Sequence, residues 1–253
     1  MPLGHHIRLR LLDDRVIARD DNERRLVARV VLRLGKDFGL LAFRCADTHL
    51  HMESTSDRPA SGQLARRVEI TLTQRLPHDV GFSTARIDPI VRQDHLYNAF
   101  DYILRQDKHH GIQMDPFHDA SVLPELLRFR AGPSYVRTNV EAFLPRVTQA
   151  DLVKHLGDLS LDRAIETFAP LADAAAASLA LPSLEGNRPN VVLARAGAVV
   201  VASPHLMQKE IASLLQRSPR TISRLARHPV PATLVEAIEL QLRLRQGLRV
   251  RKL

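Results

Sequence analysis

The sequence predicts an α+β fold, a mostly antiparallel sheet with helices packed on it, followed by an all-α helix-turn-helix region. Three observations carry this expectation. Ile7, Leu9 and Leu11 recur with a period of two, which marks a strand with one buried face. Leu26, Val30 and Leu34 recur at helical spacing, and strand-like and helix-like runs keep alternating to about residue 112. From about residue 121 only helical patterns remain.

The elements follow in order. Residues 6–18 read as a strand. Residues 21–35 read as a helix, with Asp21 or Asn22 as N-cap and Gly35 as C-cap. Residues 38–53 read as one second strand, which places Cys45 on the same face as His49 and His51. Residues 61–76 read as a helix with Leu64, Val68 and Leu72 on one face and Pro77 beyond its end. Residues 86–92 give a short strand weakened by Pro89. Residues 94–109 form a helix with Asp94 as N-cap and Leu96, Phe100, Ile103 and Leu104 as its core. The alanine-rich stretch 161–180 is helical, and 181–190 is a linker by its Pro, Gly and Asn content. Three regions result: 1–120, a connecting helical region 121–185, and 186–253.

Composition narrows the function. Of 253 residues, Lys and Arg number 36 against 28 Asp and Glu, a net charge of +8, so a polyanion is a natural partner. Most of the positive charge is arginine, which forks onto phosphate and guanine. One cysteine excludes an intrachain disulfide framework and a multi-Cys zinc site. With no apolar signal segment at residues 1–10 and no long apolar run, a cytoplasmic, nucleoid-associated protein with no membrane contact is expected. The chain has no GxxxxGK[ST], GxGxxG, HExxH or GxSxG, which argues against P-loop ATPase, Rossmann oxidoreductase, zincin and serine hydrolase chemistry.

Two motifs carry chemistry. His49-Leu50-His51 on a strand points two imidazoles to one face, where they can grip one divalent ion. Tyr102 and Gln106 are i and i+4 on a helix, and Tyr102, Gln106 and His109 fall within about a 60° arc. Cys45 reads as a packed side chain, and Tyr97 and Tyr135 lack an adjacent ligand pattern.

HxH on a strand followed some 50 residues later by YxxxQ on a helix resembles the HUH single-tyrosine transposases. Tyr102-Ile103-x-x-Gln106-x-x-His109-His110 is close to that family's nucleophile helix, and His6-Ile7 on the first strand fits its layout. Residues 5–112 are similar to the REP-associated tyrosine transposase branch. Asp47-Thr48 stands where that branch has Pro-Asn, and the Asn-Pro after the tyrosine is missing. The resemblance implies a ferredoxin-like HUH nuclease fold, with Tyr102 as nucleophile and His49, His51 and Gln106 holding Mg2+ or Mn2+. His109 and His110 would touch phosphate or support the metal's ligands. It also implies single-stranded DNA with a hairpin, a REP-like or insertion-element end, as substrate. A free phenol titrates near 10, so a divalent cation that polarises the scissile phosphate would offset a weak nucleophile.

Residues 206–216 and 219–228 read as a helix-turn-helix. Ile211, Ala212, Leu215, Ile222 and Leu225 pack inward, while Arg220, Thr221, Ser223, Arg224 and Arg227 face duplex DNA. Gln216 stands nearest the place of the usual turn glycine, and the basic tail 243–253 adds salt-sensitive affinity. Two functions follow as expectations. One is a DNA transposase or strand transferase working through a 5′-phosphotyrosine. The other is a sequence-specific DNA-binding regulator with a catalytically inactive HUH domain.

Overall fold

The computed structural model describes residues 1–106, 119–131, 135–156 and 164–249. The chain divides into two compact units, Met1–Leu127 with Ser134–His155, and Arg128–Pro133 with Leu156–Leu253. Residues 121–185 are shared between them.

The first unit runs β1 (Gly4–Arg10), α1 (Asp21–Gly35), β2 (Leu40–Ala46), β3 (His49–Ser54), α2 (Arg58–Arg75), β4 (Arg86–Ile90) and α3 (Gln93–Leu104). The four strands form one open sheet in the order β2-β3-β1-β4, antiparallel at every pairing. The fold is therefore α+β with an antiparallel sheet, as expected.

The single strand expected over 38–53 is instead a hairpin. Ala46 pairs with His49 across a two-residue turn, and Asp47 there has φ of 53°. Aspartate tolerates the left-handed region without a glycine, so the turn is hidden inside a strand-like run. The hairpin also moves Cys45. It stands opposite Leu50, not on the face of His49 and His51, and is buried there with its thiol pushed up to about 12.

Alternation divides the sheet by chemistry. Ile7, Leu9, Phe43, Cys45, Leu50 and Met52 form the apolar face. Helices α1 and α2 pack on each other and cover it, with Val27 and Val31 from α1 and Leu64, Val68 and Leu72 from α2. Their caps are Asp20 and Asp57, each accepting a backbone N–H three residues on. Helix α1 passes through a short 3₁₀ turn before Gly39 ends it at φ 59°, so Gly39 and not Gly35 is the terminator. Gly39 is held to glycine, because a Cβ there would meet the Thr55 hydroxyl.

Residues 120–122 cover the outer edge of β2: the Cys45 N–H donates to the Ala120 carbonyl and the Val122 N–H to the Phe43 carbonyl. Nearby, Arg25 of α1 donates to Asp119 at 2.6 Å, both side chains 2% exposed. Helices α4 (Leu123–Leu126), α5 (Tyr135–Phe143) and α6 (Gln149–Val153) complete the unit.

The second unit is helical: α7 (Leu171–Ala177), α8 (Pro189–Ala202), α9 (Gln208–Leu214), α10 (Pro219–Leu225) and α11 (Ala232–Arg249). The alanine-rich helix expected over 161–180 is confined, among the described residues, to α7. Helix α11 crosses α8 at Gly197, where a Cβ would press on Ile238 and Leu234. Arg195 of α8 is buried and donates to the carbonyls of Leu184 and Gly186, which pins the preceding linker.

Truncating one member of the buried ion pair removes a 2.6 Å charge-assisted bond from the interior. Asp119→Ala should cost about 3–5 kcal/mol in urea unfolding, far more than truncating the exposed Asp14, which pairs with Arg10.

Candidate functional site

The polar face of the sheet is built by the same alternation. His6, Arg8 and Arg10 of β1 stand opposite Glu53, His51 and His49 of β3. Helix α3 lies on this face. Its buried stripe of Leu96, Ala99, Phe100, Ile103 and Leu104 fixes its rotation, and Arg44 of β2 donates to the Leu104 carbonyl at 3.3 Å. The helix starts at Gln93 with Arg92 as N-cap, and Asp94 lies in its first turn.

This rotation sets Tyr102 over the histidines. Its ring meets His51 edge-on at 5.7 Å and His6 edge-on at 6.0 Å between centroids, and it is 37% exposed. His49 and His51 lie 5.9 Å apart, tilted by 34°. The His6 and His51 rings lie 5.2 Å apart with 21° between their planes, and His6 Nε2 is 3.0 Å from His51 Nδ1. His49 Nδ1 lies 2.8 Å from Thr48 Oγ1. His49, His51 and Tyr102, far apart in sequence, are thus brought together, with His6 added.

Helix α3 is interrupted after Leu104: the Arg105 N–H donates to both the Asp101 and Tyr102 carbonyls and Arg105 leaves helical φ/ψ, whereas Gln106 is helical again and residues 107–109 of the expected helix lie outside the described residues. Gln106 is fully buried, and its amide N–H donates to the Tyr102 carbonyl at 3.1 Å. Its Oε1 has no hydrogen-bond partner among the described residues, an orphaned acceptor beneath the tyrosine's backbone. His109 and His110 lie outside the described residues.

Two features escaped the sequence reading. His6 was a strand residue there, not a member of the site; burial first, then Arg8, His95 and Arg86, lower its pKa to about 4 against the pull of Asp88. Glu53 is fully buried, neither carboxylate oxygen has a hydrogen-bond partner among the described residues, and burial raises its pKa well above the ordinary range. The signal was available: in HLHMES every second residue, His49, His51 and Glu53, is polar.

The candidate donors are two imidazoles and the unsatisfied Gln106 amide oxygen, and of Mg2+ and Mn2+ it is manganese that tolerates imidazole better. Among the described residues no three His, Cys, Asp or Glu side chains form a group that could hold a metal ion. Arg8 and Arg86 are cross-strand partners on the same face, Arg86 being ion-paired with Asp88 at 2.8 Å. The other tyrosines are occupied structurally. The Tyr97 hydroxyl accepts from the Arg146 N–H, and the Tyr135 hydroxyl donates to the Leu32 carbonyl with its pKa raised by burial.

In the second unit, Ile211, Ala212, Leu215, Ile222 and Leu225 are buried as expected. The turn between α9 and α10 is a Schellman motif. Gln216 takes φ 51°, its N–H donates to the Ser213 carbonyl, and the Arg217 N–H donates to the Ala212 carbonyl. Gln216 therefore does the work of the missing glycine. Arg220, Arg224 and Arg227 are exposed. Thr221 and Ser223 are partly spent on the scaffold: Thr221 bonds the capping Ser218, and Ser223 bonds Gln208 and the Pro219 carbonyl.

No helix among the described residues is long and apolar enough to cross a membrane. The chain matches no family model, no curated protein and no solved structure.

The left-handed glutamine yields a test of the turn. Gln216→Gly should gain about 0.5–1 kcal/mol in urea unfolding and Gln216→Val should lose stability, since a branched side chain fits that backbone worst.

Proposed function

We propose that the chain is a metal-dependent, single-tyrosine DNA transposase or strand transferase that cuts and rejoins single-stranded DNA through a 5′-phosphotyrosine. One observation carries this: the Tyr102 ring stands edge-on to His51, beside His49, on the polar face of the sheet. The element order β-α-β-β-α-β with sheet order β2-β3-β1-β4 supports a ferredoxin-like nuclease core, with the tyrosine helix on the face opposite α1 and α2.

In this reaction the Tyr102 oxygen attacks the phosphorus. The P–O3′ bond breaks, and the phenolic proton passes through water to the leaving 3′ oxygen. The new ester retains the bond energy, so a 3′ hydroxyl can attack it in turn and rejoin strands without ATP. A Mg2+ or Mn2+ ion, held by His49, His51 and the Gln106 amide oxygen, would stabilise charge developing on the phosphate. Arg8 adds fixed positive charge on the same side, where Arg86 is paired with Asp88. Partly exposed, Tyr102 can meet a strand lying along the face.

The α9–α10 hairpin acts here as a helix-turn-helix on duplex DNA, α10 presenting Arg220, Arg224 and Arg227. Thr221 and Ser223 serve the hairpin's own packing first. The substrate is single-stranded DNA beside a hairpin, of the kind found at element ends.

Incubated with labelled single-stranded DNA from the flanks of its gene and Mn2+, the protein should form a detergent-stable labelled adduct. Tyr102→Phe should abolish the adduct and leave DNA binding within about threefold of wild type. Tight binding with no adduct on any hairpin-bearing flank would instead identify a DNA-binding regulator. Replacing Arg220, Arg224 and Arg227 together by alanine should weaken duplex binding and lower the slope of log K against log salt by about 2–3, measured by fluorescence anisotropy.

A further inference from the structure

A neutral imidazole has one N–H and one lone pair, so the bond made at one nitrogen decides what the other can do. In both motif histidines the nitrogen nearer the backbone is already committed. His51 Nδ1 lies 3.0 Å from His6 Nε2, and His49 Nδ1 lies 2.8 Å from Thr48 Oγ1. Both partners can accept an N–H: the His6 ring through a lone pair on Nε2, the threonine hydroxyl through its oxygen. The partners come from separate places, Thr48 from the β2–β3 turn and His6 from β1, yet they engage the same ring atom. The remaining nitrogen, Nε2, is the one each ring can bring to a cation, and it carries a lone pair only when Nδ1 holds the proton.

We propose that His6 and Thr48 are positioning residues that accept Nδ1–H from His51 and His49, locking both rings in the tautomer whose Nε2 ligates the metal. This rests on the metal-dependent reading above. His6 is the stronger of the two devices. Its ring lies nearly coplanar with that of His51, 21° between the planes and 5.2 Å between centroids, the edge-to-edge arrangement an in-plane N–H···N bond requires, so it sets ring orientation as well as tautomer. It also reaches Tyr102 edge-on, so one side chain aligns the cation's ligand and the nucleophile's ring. Loss of such a supporting partner typically weakens metal affinity 10–100-fold.

The test uses the full chain and Mn2+ alone, with free ion read by electron paramagnetic resonance and histidine tautomers read by long-range ¹H–¹⁵N NMR of the metal-free protein. His6→Phe keeps a ring in place but removes the acceptor; it should weaken Mn2+ binding about 10–100-fold and release His51 from the Nδ1–H tautomer. His6→Gln, whose amide oxygen can accept the same bond, should bind Mn2+ within about threefold of wild type. Thermal melts of both variants report whether the sheet is intact. Should folded His6→Phe bind Mn2+ as tightly as wild type, or His51 keep its tautomer there, the positioning role is overturned and the metal site stands. Should wild-type protein bind no Mn2+, the metal-dependent reading itself falls.

Discussion

Everything at the candidate site depends on the register between β1 and β3. Opposite pairing of His6 with Glu53 and of Arg8 with His51 puts every odd residue of β1 from Ile7 to Leu9 into the apolar core and every even one onto the polar face. A slip of one residue would bury the imidazoles among leucines and expose Ile7 and Leu50. The apolar face makes such a slip costly, because α1 and α2 press Val27, Val31, Leu64, Val68 and Leu72 against it. The hydrophobic side of the sheet thus enforces the geometry of the polar side, and no residue of the site need stabilise the fold itself.

Glu53 shows what that geometry costs. A carboxyl without a hydrogen-bond partner among the described residues, fully buried, has its pKa pushed well up by desolvation, which disfavours its charged form. A stability-driven sequence would place an apolar residue there. Its position beside His6 and His51 is where polar groups accumulate for chemistry at the expense of packing.

Much of this was legible in the sequence, and what was not has physical reasons. Helices α1 and α2 were readable because their apolar residues keep strict helical spacing. His49, His51 and Tyr102 were readable because strand and helix periodicity say which side chains share a face. The β2–β3 hairpin was not, since Asp47-Thr48 contains no glycine and interrupts a run that still looks extended. The break in α3 at Arg105 depends on that residue's backbone hydrogen bonds, which spacing does not encode. His6 was seen as a strand residue, yet its place on His51 depends on which strands are neighbours, a long-range property. Thr221 and Ser223 read as DNA contacts in one dimension, and their bonds to Ser218, Gln208 and the Pro219 carbonyl become visible only in three.

The covered rim of β2 has a further consequence. Residues 120–122 already occupy the hydrogen-bonding positions there, and β4 at the opposite side has five residues, one of them Pro89 with no N–H to offer. Partners that bind by adding a strand find little purchase on either side. Both rims thus disfavour strand addition, which leaves recognition to side chains such as the arginines and histidines of the polar face.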